Sequence, residues 1–185
     1  MPQWLNKDLY VYHGTDSNSA GGASITSGSS IPFVINLALC RPWTDFGQGF
    51  YVTTNQHQAR QWANTRVDKL AAGLPPSSPA PVATVLQFRL ERDGLANLDS
   101  LAFVLGTHDF WALVTDCRGR FPPHQRAGVQ AEYDVVYGPV TLWPQILLIQ
   151  DCDQISFHTS AGVARLLDPV LLEKANDSDP RRTKF

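Results

Sequence analysis

The chain is predicted to fold as an α+β domain, and three observations carry that prediction. Short runs of β-branched and aromatic residues recur along its length. Two segments repeat apolar residues at helical spacing. The strands do not alternate regularly with helices, so mostly antiparallel pairing fits better than a doubly wound parallel sheet. This pattern alone does not choose among α+β folds. A chain of 185 residues is long enough for one domain with a sizeable core and short for two. We assign residues 1–175 to a single domain and 176–185 to a polar, frayed tail.

The elements follow in order. Residues 9–12 are β-prone and end at His13-Gly14-Thr15. Residues 16–30, rich in Ser, Gly and Ala, read as a weak helix followed by a loop. A second strand covers 49–54, introduced by Asp45-Phe46-Gly47-Gln48. A helix follows, with Thr54 or Asn55 as its cap and Ala59, Trp62, Ala63 and Val67 at helical spacing; it stops before Gly73. The Pro-rich stretch 74–81 is a surface loop, and 82–90 is a strong strand. Residues 97–106 and 109–117 read as short helices, the second with Phe110, Leu113 and Val114 on one face. Trp62, Phe110 and Trp111 are assigned to the core. Strands are predicted over 133–140, 146–150 and 154–158, and a short helix over 160–167.

Composition narrows the function. The formal net charge is −2, so no basic field is present to hold a nucleic-acid backbone. The three cysteines, Cys40, Cys117 and Cys152, are scattered. They form neither a disulfide framework nor a metal-ligand spacing and are read as free thiols. No apolar leader and no membrane-length apolar run is present, so a soluble cytoplasmic protein is expected, with export by a route lacking a cleavable signal left open. Gly47-Gln48-Gly49 does not open a Rossmann unit, because no G-x-G-x-x-G begins a helix there.

Three motifs in order carry a resemblance. Tyr12-His13-Gly14-Thr15 comes first. The run Cys40-Arg41-Pro42-Trp43-Thr44-Asp45-Phe46-Gly47-Gln48-Gly49-Phe50-Tyr51 comes second, and Asp153-Gln154-Ile155-Ser156-Phe157-His158-Thr159 third. From about residue 9 to about 167 the chain resembles the His-Tyr-Glu branch of ADP-ribosyltransferases, which includes diphtheria toxin and the poly(ADP-ribose) polymerases. It is most similar to a small family of bacterial and fungal transferase-like proteins. The resemblance implies a split β-sandwich of two small, mostly antiparallel sheets with flanking helices. It also implies NAD as co-substrate and no metal, since the leaving nicotinamide is already cationic in NAD. The implied reaction transfers ADP-ribose to a macromolecular acceptor, with protein preferred over nucleic acid and no membrane partner. NAD glycohydrolysis in the same site and a catalytically weak NAD- or ADP-ribose-binding module are the alternatives.

Roles carry over residue by residue. His13 matches the histidine that bonds the adenosine ribose. Gly14, with its small size, matches the position whose main chain pairs with the nicotinamide amide, and Thr15 follows it. Tyr51 matches the tyrosine that stacks on the nicotinamide ring. Phe46, Gly47, Gly49 and Phe50 build the turn and strand that carry it, and Thr53 adds a hydroxyl near the nicotinamide ribose. Arg41 either contacts the pyrophosphate or makes a surface salt bridge. Asp45 is read as capping or orienting the turn.

The third position departs from the family pattern. By element order Gln154 stands where that branch has a glutamate, which keeps hydrogen bonding and loses the charge that would stabilise an oxocarbenium. Glu132, in Gln130-Ala131-Glu132-Tyr133, is a second candidate resembling the Gln-x-Glu turn of other transferases. Both are carried forward as the residue facing the nicotinamide ribose. His158 is read mainly as a core or supporting residue. Acceptor choice is placed in residues 16–44 and 118–131.

Overall fold

The computed structural model describes residues 7–21, 25–75, 78–119, 124 and 132–185. It is α+β, with two mostly antiparallel four-stranded sheets and, among the described residues, four α-helices. The elements are β1 (Leu9–Asp16), β2 (Ser29–Ser30), β3 (Phe50–Val52), α1 (Gln56–Ala71), β4 (Ala83–Leu90), α2 (Arg92–Leu95), β5 (Ser100–Ala102), α3 (His108–Gly119), β6 (Val135–Thr141), β7 (Leu148–Phe157), α4 (Ser160–Val163) and β8 (Leu166–Lys174). They segregate into two compact units. The first comprises Met1–Leu9, Ile35–Tyr51 and Leu90–Leu166, and the second Tyr10–Val34, Val52–Arg89 and Leu167–Phe185.

The first unit is built on the sheet β3-β7-β6-β5. Strands β5 and β6 run parallel, with Leu101 opposite Val136, and β6 and β7 run antiparallel, with Gly138 opposite Gln154. The β6–β7 register shifts between Pro139 and Thr141, so that Pro139 faces Asp153 and Thr141 faces Leu148. Phe46, Phe110, Val114 and Val136 form the buried core, with Trp111 and Trp143 packed at its margin. Gly138 is a glycine because a Cβ there would come within 2.8 Å of the Phe46 ring. Residues 97–106, predicted helical, instead hold β5: apolar spacing there suggested a helix, but backbone pairing with β6 decides the conformation. The two strands predicted over 146–150 and 154–158 are one irregular strand, β7.

The second unit is built on the sheet β1-β4-β8-β2. Helix α1 starts where predicted. The Asn55 side chain accepts the N–H groups of His57 and Gln58 at 3.0 and 3.2 Å, satisfying donors that a helix start leaves unpaired. Its buried face is Gln58, Ala59, Ala63 and Val67, while Trp62 is only partly buried. Residues 16–21 form no helix. The buried Asp16 carboxylate instead accepts the N–H groups of Asn18 and Ser19, and Arg66 bonds it at 2.7 Å. Residues 166 and 167, read as the end of a helix, instead begin β8. The tail predicted to fray is tied down: Ala83 N–H bonds the Thr183 carbonyl at 2.8 Å, and Phe185 packs against Ala63, Val67, Ala83 and Ala175.

Candidate functional site

The central motif of the first unit folds as a tight loop closed by Tyr51. The Tyr51 hydroxyl accepts the Phe46 N–H at 3.0 Å, donates to the Gly47 carbonyl at 2.8 Å and lies 2.7 Å from the Thr44 hydroxyl. Gly47 adopts φ +88° and Trp43 φ +61°. The first suits glycine; the second is a strained backbone for a bulky residue. Trp43 is held there by Arg118, whose Nη1 donates to its carbonyl at 3.1 Å. Burial pushes the Tyr51 phenol far up in pKa. Its ring lies 6.4 Å from that of Phe46, near parallel, and meets the His158 ring edge-on at 6.4 Å. Phe46 and Phe50 are buried, so they support Tyr51 from within the fold. Arg41 is exposed.

Asp45, 2% exposed, is the polar centre behind this loop. Arg118 from α3 donates to its Oδ1 through Nε at 2.8 Å and Nη2 at 2.6 Å. Thr141 from β6 donates its N–H to Oδ2 at 3.0 Å and its hydroxyl to Oδ1 at 2.7 Å. Gln154 from β7 donates Nε2 to Oδ2 at 2.7 Å and to the Pro139 carbonyl at 2.9 Å. Both amide protons of Gln154 are therefore used inside the fold. A glutamate there would set two carboxylates against each other in a buried place, which costs free energy. The absence of a glutamate at 154 thus has a physical reason in Asp45.

Two residues further along β7 a second polar cluster begins. His158 Nδ1 lies 3.0 Å from the Gln48 carbonyl and Nε2 2.7 Å from the Ser156 hydroxyl. A carbonyl only accepts, so Nδ1 carries the proton and Ser156 donates to Nε2. His124 repeats the logic: Nδ1 donates to the Phe46 carbonyl at 2.7 Å and Nε2 accepts the Tyr133 N–H at 2.9 Å. The two imidazoles meet edge to face at 4.4 Å. Burial, aided by His124, pushes the pKa of His158 down to about 3. Burial also lowers that of His124. Both rings are neutral near pH 7.

Glu132 stands beside this pair, Oε2 3.8 Å from His158 Nδ1, with its side chain 29% exposed. Burial raises its pKa. Gly49 leaves room for the His158 ring, since a Cβ there would come within 2.7 Å of Nδ1. The Tyr51 ring and the Glu132 carboxylate thus both lie next to His158. Gln130 and Ala131 lie outside the described residues, as do residues 22–24, 120–123 and 125–129 of the segments assigned to acceptor choice.

The second unit holds the other predicted site residues. His13, Gly14 and Thr15 lie on β1, and Thr53 joins Tyr12 of that strand in an antiparallel bridge. Gly14 has a packing reason: a Cβ there would come within 2.0 Å of the Ala59 carbonyl oxygen and 2.8 Å of the Ala63 nitrogen. Thr15 is buried, and Thr53 is fully buried with its hydroxyl 3.0 Å from Gln58 Oε1. His13 is partly buried. Sequence reasoning gave Asp45 only a turn-orienting role and missed Arg118, Ser156 and His124. Buried histidines carry no spacing signal, and Arg118 sits 73 residues from its partner.

Residues 26–141 match the family described as "Protein of unknown function (DUF3990)". The chain belongs to this family. No curated protein and no solved structure matches it. Among the described residues no helix is long and apolar enough to cross a membrane. Cys40, Cys117 and Cys152 are free thiols. Burial lifts the pKa of Cys117 to about 12, which makes it inert.

Proposed function

We propose that this chain is an NAD-dependent mono-ADP-ribosyltransferase, with Tyr51 and Glu132 at the nicotinamide end of its site. The motif order supports the reading, as does an α+β chain with two mostly antiparallel sheets. The observation that carries it is the grouping around His158 of an anchored aromatic ring and a partly buried carboxylate. In the reaction the C1′–N bond of NAD breaks with its electron pair leaving on nicotinamide. The acceptor nucleophile bonds C1′ and releases a proton. Glu132 offers negative charge to the oxocarbenium-like centre and a hydrogen-bond acceptor to the ribose hydroxyl, in a place where low polarity strengthens both. His158, neutral and donating Nδ1–H to the Gln48 carbonyl, leaves the Glu132 charge in place. Gln154, committed to Asp45, is a positioning residue for the loop that carries Tyr51. The resemblance assigns His13 to the adenosine ribose and Arg41 to the pyrophosphate, while Gly14, Thr15 and Thr53 are packed inside the fold.

Nicotinamide release from NAD tests this assignment. Glu132→Gln should lose roughly 100-fold or more in rate with the fold intact, as expected for loss of one electrostatic stabiliser. Full activity in that variant rejects Glu132. Release of nicotinamide without labelled protein would favour the glycohydrolase reading. Saturable NAD binding without turnover would favour the binding-module reading, which the spent amide of Gln154 also supports.

A further inference from the structure

The turn that precedes the Tyr51 loop has little of its own to hold it. Leu37–Leu39 forms a single 3-10 turn capped by the Asn36 side chain, and none of residues 36–40 is buried. Leu39 and Cys40 donate their N–H groups to the carbonyls of Asn36 and Leu37, each at 3.1 Å, and the Cys40 thiol lies 3.7 Å from the Asn36 carbonyl. These bonds are all local. Gln48 reaches the turn from outside. Its Nε2 lies 3.2 Å from the Leu37 carbonyl, 3.3 Å from that of Ala38 and 3.0 Å from that of Cys40. Two amide protons shared among three acceptors leave no donor capacity over. Gln48 is itself fixed: its carbonyl accepts His158 Nδ1–H at 3.0 Å, and the neighbouring Gly47 carbonyl accepts the Tyr51 hydroxyl at 2.8 Å. Among the described residues, Gln48 is thus the hydrogen-bonded link between this turn and the Tyr51–His158 grouping.

The shortest of the three bonds ends on the Cys40 carbonyl, which shares a planar peptide unit with the Arg41 nitrogen. Holding that carbonyl therefore holds the start of Arg41. Arg41 and Asp45 are the charged side chains of residues 35–51. Asp45 is consumed by Arg118, whereas Arg41 is exposed and has no ion-pair partner among the described residues. A guanidinium suits a phosphate anion. On a loosely held backbone it would lose much ordering entropy when it met one; on a fixed peptide it loses less. We propose that Gln48 is a positioning residue: by latching the Leu37–Cys40 turn, it presents Arg41 to the pyrophosphate of the bound dinucleotide. This role rests on the NAD reading of the site and adds to it the device that orders its anion contact.

Two measurements on the full chain test it. The first needs no nucleotide: Cys40 is labelled with N-ethylmaleimide and followed by peptide mass spectrometry. Burial pushes the Cys40 thiol up, so labelling is slow while the turn is latched. Gln48→Met keeps the side-chain length and removes the donors; Gln48→Glu sets a carboxylate against three carbonyls. Each should label at Cys40 at least about tenfold faster, as local opening exposes the thiol. Cys117, fully buried, should stay unlabelled wherever the fold is kept, and if one variant fails to fold the other decides. The second measurement is calorimetry with ADP-ribose, which carries the pyrophosphate and has no nicotinamide to release. Gln48→Met and Arg41→Ala should each weaken binding about tenfold, and the double variant should lose no more than either alone. In nicotinamide release by Gln48→Met, the loss should fall on the KM for NAD rather than on kcat. Unchanged Cys40 labelling in both Gln48 variants, additive losses in the double variant, or parental affinity for ADP-ribose in Gln48→Met would overturn the latch and leave the NAD reading standing. A parent chain that binds neither ADP-ribose nor NAD at millimolar concentration would instead reject the NAD reading, and the role of Gln48 with it.

Discussion

Two polar clusters start from neighbouring residues of β7 and solve opposite problems. At Gln154 the cluster is closed: Asp45 is buried, and its oxygens accept bonds from Arg118, Thr141 and Gln154. At Ser156 and His158 the cluster is open: the imidazoles satisfy each other's surroundings, but Glu132 stands partly exposed beside them with a raised pKa. A carboxylate saturated with donors holds architecture. A carboxylate left near neutral groups keeps acceptor capacity for something else. The family-like motif around residue 154 therefore builds the loop, and the proposed reaction assigns the stabilising charge to Glu132.

The comparison breaks most visibly at Asp45. Asp45→Ala strands the Arg118 guanidinium, the Thr141 N–H and the Gln154 amide, and should cost about 3–5 kcal/mol in urea unfolding. A loss below about 1 kcal/mol would show that the closed cluster is not structural.

The open cluster should instead show itself in pH. The folded pKa of His158 is depressed to about 3 from an ordinary 6.5, so between those values the unfolded chain binds more protons. Its contribution is present above about 6.5 and is lost as pH falls toward 3, by on the order of 2–4 kcal/mol. His158→Gln should flatten the decline of stability across that window. An unchanged slope contradicts the buried neutral imidazole.

Gln154→Glu sharpens the contrast. It places a carboxylate against Asp45, whose Oδ2 is 2.7 Å from Nε2 in the parent. The new group must have its pKa raised, so the variant should lose about 1–3 kcal/mol at pH 8 and regain part of it near pH 5 as a proton is taken up. Equal melting temperatures of variant and parent at both pH values would refute this. The smallest effect is expected at Thr159, which accepts the Gly162 N–H at 3.1 Å to cap α4. The Thr159 hydroxyl also donates to the Asp134 carboxylate, so Thr159→Ala should cost about 1–2 kcal/mol in urea unfolding, and a fall comparable to that of Asp45→Ala would contradict this ranking.

Local signals made part of this legible. Asn55 followed by Ala59, Ala63 and Val67 announced α1, and Phe110 with Val114 announced α3. Where pairing overrides local preference the sequence misled. Residues 97–106 looked helical, yet residues 100–102 pair with β6. Asp168 and Pro169, uncommon inside a strand, hid β8. Phe185, in a charged tail, packs on a core formed about 100 residues earlier. The motif residues were visible as a pattern. That Gln154 serves Asp45 across 109 residues was not, because a hydrogen bond between distant elements leaves no spacing to read.

The proposed function has NAD bind in the first unit beside Tyr51 and Glu132. The most direct measurement is an NMR titration of the isotopically labelled protein with NAD, following both side chains. The account predicts that the Tyr51 ring and Glu132 side-chain signals move together in one saturable process with a single Kd. Signals at both positions that stay unmoved at millimolar NAD, or that respond with unrelated affinities, would contradict it.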